Sequence, residues 1–274
     1  MSSSSTTVTA KPPEPARLWT KTRVLGYGLV SMWALAALGL VVFLVRAWNP
    51  ELFAKYAPNY ISGLIVTIQL VGLSLLLGAL LSLPIAYGRE AKSRWAAWPS
   101  YMYVYFFRGT PLLAQTFLIY YGFGSFRPQL EAVGLWWFFR DAWYCALLAF
   151  TLNTAAYQAE ILRGAVNSVP SGQWEGADSL GLPRWLTFRK IILPQALIVA
   201  LRPYGNEIIL MIKGSAIVAI ITVYDLMGET RRAYSRTFDF QTYLWAALIY
   251  LAIVETLRNV IEWIDRRITR HLKR

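Results

Sequence analysis

A polar stretch, EGADSLGLPRWLTFRKIILP over residues 175–194, lies between two apolar segments and decides how the middle of this chain folds. Pro170 before it suits the first position of a helix, where the missing N–H costs nothing. Gly181 suits the end of the same helix, because glycine readily adopts the left-handed conformation. The sequence therefore predicts a short helix over residues 171–180, in a loop between longer apolar helices. Its apolar members share part of one face and are Trp174, Ala177 and Leu180.

The composition of the whole chain places that loop in a membrane protein. Of 274 residues, 56% are hydrophobic and only 15% are charged. This predicts an all-α, multi-pass membrane protein, because crossing about 30 Å of hydrocarbon takes roughly 20 apolar helical residues. We expect about six transmembrane helices. They are residues 24–45, 56–88, 98–121, 142–160, 191–213 and 243–263.

The apolar segment that follows the polar stretch is too long for one span. A single helix over residues 191–226 would extend roughly 54 Å, well beyond the bilayer core. Gly214 and Ser215 are the natural point of division. We therefore expect a spanning helix that ends near Lys213, followed by a shorter apolar segment that dips back or lies against the bundle.

The distribution of Lys and Arg predicts the orientation, because short basic loops stay on the cytoplasmic side. With both termini in the cytoplasm, most of the 27 basic residues fall in cytoplasmic segments, and the polar stretch faces the cytoplasm as well. The net charge of +12 follows mainly from this bias, so it does not call for a nucleic-acid partner. The bilayer itself is the expected partner.

The chain ends and the missing motifs limit the function further. Residues 1–23 are rich in Ser, Thr and Pro and predict a disordered cytoplasmic tail, and residues 265–274 predict a basic one that holds the single His271. The sequence has no Gly-x-x-x-x-Gly-Lys-Ser/Thr run for phosphates. We therefore expect no catalytic residue, no metal site and no cofactor in this chain.

The polar stretch resembles the coupling loop of bacterial ABC importer permeases. That resemblance implies that the short helix sits in a cleft of a separate ATPase subunit, which binds ATP and Mg and passes its closure to the membrane helices. Family members usually have Ala at the position of Gly176, an exchange that costs roughly 1 kcal/mol of helix propensity. The coupling residues that the resemblance implies are Glu175, Gly176, Ala177, Gly181, Ile191, Leu193 and Pro194.

Three further motifs narrow the resemblance to permeases of polar amino-acid importers, in the histidine and opine branch. They are FRGTPLLAQ at 107–115, TLNTAAYQAE at 151–160 and YGNEIILM at 204–211. The resemblance implies a type I importer core of five spans over residues 60–264, with the coupling loop at 164–190 and an additional transmembrane helix at 24–46. It also implies a bacterial inner-membrane complex. Its partners would be an ATPase subunit, a second permease subunit, alike or paralogous, and an extracytoplasmic solute-binding protein.

Charged residues inside the predicted spans point to a solute path, because they are costly in a membrane and usually face a wet interior. Arg108 suits a solute carboxylate, and Glu160 or Glu207 suits an ammonium group. Asn153 and Asn206 are neutral partners for the same path. Alternatively, the charges pair with each other or reach the headgroups. Two prolines predict helix interruptions on this path, and they are Pro111 and Pro203.

The resulting hypothesis is a permease subunit that translocates polar amino acids or related solutes, such as opines, by alternating access. An alternative is a self-contained, proton-coupled secondary transporter that uses Glu160 and Glu207 as proton carriers. A membrane scaffold whose loop recruits a cytoplasmic partner is a third interpretation. The sequence leaves the identity of the solute open.

Overall fold

The computed structural model describes residues 19–46 and 48–272, and every regular element in these ranges is helical. The all-α prediction is therefore confirmed. Most of the predicted 1–23 tail lies outside the described residues, and the predicted basic tail begins within the last helix and continues in a 3₁₀ turn to Leu272. The α-helices are α1 Lys21–Arg46, α2 Pro50–Arg89, α3 Arg94–Gly109, α4 Leu112–Phe117, α5 Arg127–Ala132, α6 Trp136–Phe139, α7 Ala142–Asn167, α8 Ser171–Ser179, α9 Arg184–Thr187, α10 Leu193–Ser215, α11 Leu226–Thr237 and α12 Gln241–Ile268.

The chain divides into two units at Asn49 and Pro50. The first unit contains α1, a helix of 26 residues with a mean hydropathy of 2.4 over its most apolar window. None of its described residues is buried within the chain. At 1.5 Å per residue it extends about 39 Å, which is enough to cross a bilayer.

Four helical stretches in the described part of the chain are long and apolar enough to cross a membrane. They are Lys21–Arg46, Pro50–Arg89, Arg184–Ile221 and Gln241–Ile268. The other two predicted spans correspond to α7 and to the interrupted pair α3 and α4. Helix α7 has the length of a span but carries polar residues along its buried face, and α3 and α4 are separated by an irregular step.

Helix α7 forms the centre of the second unit, where it packs mainly against α2 and α10. Small residues on α7 allow this close approach. A β-carbon built at Gly78 of α2 would lie only 2.5 Å from Cγ2 of Thr154 on α7, so the two backbones are as close as a glycine allows. The fully buried alanines on α7 are Ala146, Ala149, Ala155, Ala156 and Ala159.

The predicted interruption at Pro111 is confirmed. Helix α3 ends at Gly109, and Pro111 has an extended backbone, with ψ of 137°, before α4 begins. The corresponding prediction for Pro203 was wrong, because α10 continues through this residue. A proline leaves one carbonyl unpaired in an otherwise intact helix, and neighbouring helices in a bundle tolerate this.

The predicted division near Gly214 is also confirmed. Helix α10 ends at Ser215, and a 3₁₀ turn follows over Ala216–Ile221. Thr222 then adopts a positive φ of 67°, which redirects the chain toward α11. The second half of this apolar segment therefore does not continue as a straight span.

The beginning of α11 is held against the middle of α2. The Leu226 N–H donates to Oγ1 of Thr67 on α2 at 3.1 Å. The same turn is closed locally, because the Gly228 N–H donates to Oδ1 of Asp225, the residue that precedes α11, at 2.8 Å. A β-carbon at Gly63 would lie 2.7 Å from the Asp225 carbonyl oxygen. Only glycine fits at position 63 without moving the backbone of the segment that leads into α11.

We expect Gly63→Ala to destabilise the protein and Gly72→Ala to leave it unchanged or slightly more stable. Both residues lie in α2, but a β-carbon at Gly72 meets nothing within 4 Å. Overpacking costs about 1–3 kcal/mol, whereas an unhindered exchange improves helix propensity. Thermal unfolding of the two variants in their assembled complex measures the difference, and equal melting temperatures would contradict the close approach.

Candidate coupling surface and solute groove

The polar stretch folds as predicted into a short helix, α8, with Pro170 as the residue that precedes it. Gly181 has a positive φ of 68°, which confirms its role in ending this helix. The Gly181 N–H donates to the Asp178 carbonyl at 2.9 Å, and the Leu182 N–H donates to the Ala177 carbonyl at 3.1 Å. These bonds satisfy carbonyls that the end of a helix leaves free.

One face of α8 is fixed to the helix bundle. Ala177 is only 3% exposed, and the partly buried Trp174 packs against a cluster of buried residues from α7, α10 and their adjoining segments. The Gln195 side chain of α10 also lies 3.4 Å from Oε1 of Gln173 on α8. These contacts connect α8 directly to both α7 and α10. The buried members of the cluster are Ala165, Val169, Ile192, Ala196 and Ala200.

The opposite face of α8 is open. Glu175 lies there, and Gly172 and Gly176 are exposed with nothing near the position of a β-carbon. Ser179 completes this face one turn after Glu175. Ala177, predicted as part of the partner-facing surface, is instead buried against the bundle. Leu180, predicted to share an apolar stripe with Trp174 and Ala177, is 78% exposed and does not join them in the packing.

The chain returns from α8 to the bundle through a helical connection. A π-helical turn over Phe188–Ile192 leads into α10, and Pro194 occupies the first turn of that helix. The Gln195 amide donates to the Ile191 carbonyl at 2.8 Å, and Leu193 begins the α-helix. Of the predicted coupling residues, Ile191 therefore lies in the π-helical turn, and Leu193 and Pro194 lie at the start of α10.

Two buried amides hold the interrupted helix open. The carbonyl of Phe107 accepts hydrogen bonds from Nε2 of Gln115 at 2.9 Å and Nδ2 of Asn153 at 3.1 Å. Nδ2 of Asn153 also donates to Oε1 of Gln115 at 2.9 Å. Gln115 further donates to Thr110. Asn153, predicted to contact solute, is thus engaged in satisfying the backbone that Pro111 interrupts.

Glu207 connects α10 to α7 and is buried, with 5% of its surface exposed. Oγ1 of Thr154 donates to its Oε1 at 2.8 Å, and Nε2 of Gln158 donates to the same hydroxyl at 3.1 Å. Asn206, the neighbouring predicted path residue, is exposed. The structure therefore does not bring the five predicted path residues to one site.

Glu160 is the centre of an ion-pair cluster near the end of α7, and its side chain is 13% exposed. Arg89 of α2 donates to it at 2.9 Å, and Arg163 does so at 3.0 Å through Nη2. Arg108 of α3 lies farther away, at 3.8 Å. Arg163 also approaches Glu90, which accepts a hydrogen bond from Asn167 at 2.9 Å. These contacts correspond to the expected alternative in which the charges pair with each other.

Two cavities meet at this cluster and form what we call the groove. They have volumes of about 630 and 390 Å³, and both are lined by Arg108, Tyr157 and Glu160. The guanidinium of Arg108 lies 5.2 Å from the centre of the Tyr157 ring, and its side chain is 44% exposed. Sequence reasoning did not identify Tyr157 as a groove residue, although it lies in the motif at 151–160. The only signal for it was its position one helical turn before Glu160.

The fold and the groove together define a multi-pass, α-helical membrane protein with a groove between its helices and one exposed short helix. Residues 74–270 match the family described as binding-protein-dependent transport system inner membrane component. The chain belongs to this family, and it is a permease subunit, whereas ATP hydrolysis in these systems lies in a separate subunit. The proton-coupled alternative finds no support in this assignment.

Curated relatives and solved structures agree with the family. The chain is 42% identical over 217 residues to the nopaline transport system permease protein of Agrobacterium fabrum, covering 78% of this chain and 90% of that one. It is 38% identical over 218 residues to the arginine ABC transporter permease protein of Haemophilus influenzae, covering 79% and 95%. A crystal structure of an amino acid ABC transporter with histidines matches with a TM-score of 0.72 and 34% identity, covering 80% and 99%.

We expect Gln115→Ala to destabilise the protein by about 1–3 kcal/mol, because it removes a donor from the Phe107 carbonyl and an acceptor from Asn153. Gln129→Ala in α5 is the matched control, since Gln129 is exposed and its loss should change stability by less than about 0.5 kcal/mol. Thermal unfolding of the assembled complex compares the two. Equal effects would mean that the amide pair does not support the interruption.

We expect Glu160→Gln to destabilise the protein by about 3 kcal/mol, because it leaves three guanidinium groups without their shared carboxylate. Glu131→Gln removes a comparable pair with Arg127, but both of those side chains are exposed, so it should change stability by at most about 1 kcal/mol. Melting temperatures in low and high salt test this. A Glu160 variant as stable as its control would show that the cluster is not structural.

Proposed function

We propose that this chain imports polar amino acids or opine-like solutes across the bacterial inner membrane as the permease subunit of an ATP-driven complex. One observation supports coupling through α8. This helix presents Glu175 between small residues on an open face, while its other face is packed into the bundle. The solute class is supported by the names of the relatives, which include nopaline and arginine permeases.

The ATPase subunit is the partner that fits the open face of α8. The glycines beside Glu175 let another backbone approach closely, and the carboxylate offers a single charge for a basic or amide group there. ATP and Mg belong to that partner. A second permease subunit, identical or paralogous, and an extracytoplasmic solute-binding protein complete the complex. In this arrangement α8 and both chain termini face the cytoplasm, in accordance with the distribution of basic residues.

The bundle has direct connections for transmitting movement from α8. The apolar cluster joins α8 to the ends of α7 and α10, and the Glu160 cluster joins α7 to α2 and α3. Closure of the ATPase subunits would therefore shift the helices on both sides of the groove together. Such a shift between inward-open and outward-open arrangements constitutes alternating access.

The groove is the proposed path, with Arg108 and Glu160 as its charged lining. Asn206 is exposed and is available to solute or to the second subunit. Asn153 and Glu207 are enclosed by the packing around them, so they would contact solute only in an arrangement that separates α7 from its neighbours. The larger cavity of the groove, at about 630 Å³, lies within the range usual for small-molecule sites.

We expect Glu175→Arg to abolish ATP-dependent uptake and to weaken association with the ATPase, because it reverses the charge on the open face of α8. Solute uptake, ATP hydrolysis and subunit association are measured on the assembled complex in vesicles. Glu131→Arg reverses a charge on α5, outside the coupling loop, and should leave ATPase association unchanged.

Two outcomes would contradict the proposal in different ways. Normal ATPase association and uptake in the Glu175 variant would exclude α8 as the coupling element. Uptake that proceeds without ATP and stops when the proton gradient is collapsed would exclude the importer mechanism and favour a secondary transporter.

A further inference from the structure

The charges that line the groove do not balance. Among the described residues, three titratable side chains other than tyrosines line the two cavities, and they are Arg89, Arg108 and Glu160. This leaves one guanidinium in excess. Arg163 and Glu90, which extend the cluster away from the cavities, cancel each other. Glu207 is close enough to interact with the charge of Arg108, but it is buried against Thr154 and lines neither cavity, so a solute in the groove does not meet it.

The excess positive charge can be assigned to one residue. Oε1 and Oε2 of Glu160 already accept four hydrogen bonds of 2.9–3.2 Å from Arg89 and Arg163. Arg108 remains at 3.8 Å from Glu160 and is more exposed than either competitor. Its guanidinium faces both cavities and stacks on Tyr157, an arrangement that leaves its N–H donors open to an incoming carboxylate.

We infer that the groove selects solutes with at least two carboxylates over amino acids whose side chain adds a positive charge. This inference rests on the proposed function and names the solute class. One carboxylate binds Arg108 through two parallel N–H donors, as arginine favours. A second carboxylate offsets the positive charge of the solute, which otherwise finds no free carboxylate in the lining. A cationic amino acid with one carboxylate would bring a surplus charge into an already positive groove.

Octopine and arginine form a matched pair of probes, because octopine is arginine whose α-nitrogen carries a carboxyethyl group. The two solutes differ by one carboxylate and share the same guanidinium. We expect the assembled complex, without its solute-binding protein, to bind octopine at least about tenfold more tightly than arginine in calorimetric titration. Uptake of both solutes into vesicles, with and without ATP, is measured on the same preparation.

The variants identify the residue responsible. Arg108→Gln should remove most of the preference for octopine, while Arg108→Lys keeps the charge and should retain part of it. Arg127→Gln, on an exposed pair outside both cavities, should leave the preference unchanged. The lysine variant also keeps the test informative should the glutamine variant fail to assemble.

Three results would each overturn this inference: equal or tighter binding of arginine, binding of neither solute, or an unchanged preference in Arg108→Gln. If uptake still depends on ATP in these cases, the proposed function remains intact. Uptake that needs no ATP would instead overturn the proposed function and the inference together.

Discussion

The close packing of α7 against α2 is the contact on which the rest of this permease depends. Fully buried alanines on α7, and a glycine on α2 that faces Thr154, bring the two backbones together. In a bilayer, apolar burial drives helix association only weakly, so close packing and hydrogen bonds between helices must stabilise the bundle. Three of the polar contacts that surround the groove then involve residues of α7. Asn153 donates to the interrupted helix, Thr154 donates to Glu207, and Glu160 forms ion pairs with three arginines.

The interrupted helix shows how the bundle tolerates an irregular backbone at membrane depth. A proline after Thr110 removes the helical continuity between α3 and α4, and unsatisfied carbonyls would cost several kcal/mol in hydrocarbon. Gln115 and Asn153 supply donors from two directions, so the Phe107 carbonyl that the proline leaves free is satisfied within the protein. The same step places Arg108 at the end of α3, where its side chain turns into the groove. The interruption between α3 and α4 therefore positions the Arg108 guanidinium.

Local features of this fold were predictable, and long-range pairings were not. Pro111, Gly181 and the division after Gly214 follow from backbone preferences that act within a few residues, and the structure agrees at each. Pro203 did not interrupt α10, because packing in a bundle can override a single missing donor. The orientation of Ala177 depends on residues from α7 and α10 that no local pattern reveals. Arg89 and Glu160 are 71 positions apart, so their contact required the structure.

The sequence left two alternatives for Glu160, which were contact with solute and an ion pair within the bundle. The structure shows the ion pair. The hydrogen bonds of Glu160 to Arg89 and Arg163 fix it as the joint between α2 and α7, next to the segment that leads into α8. Arg108 lies 3.8 Å from the same carboxylate, so its loss as a partner would leave the hydrogen bonds of Glu160 to Arg89 and Arg163 in place. In the proposed mechanism, this difference lets Arg108 bind and release solute while the hydrogen bonds of Glu160 keep α2 and α7 connected.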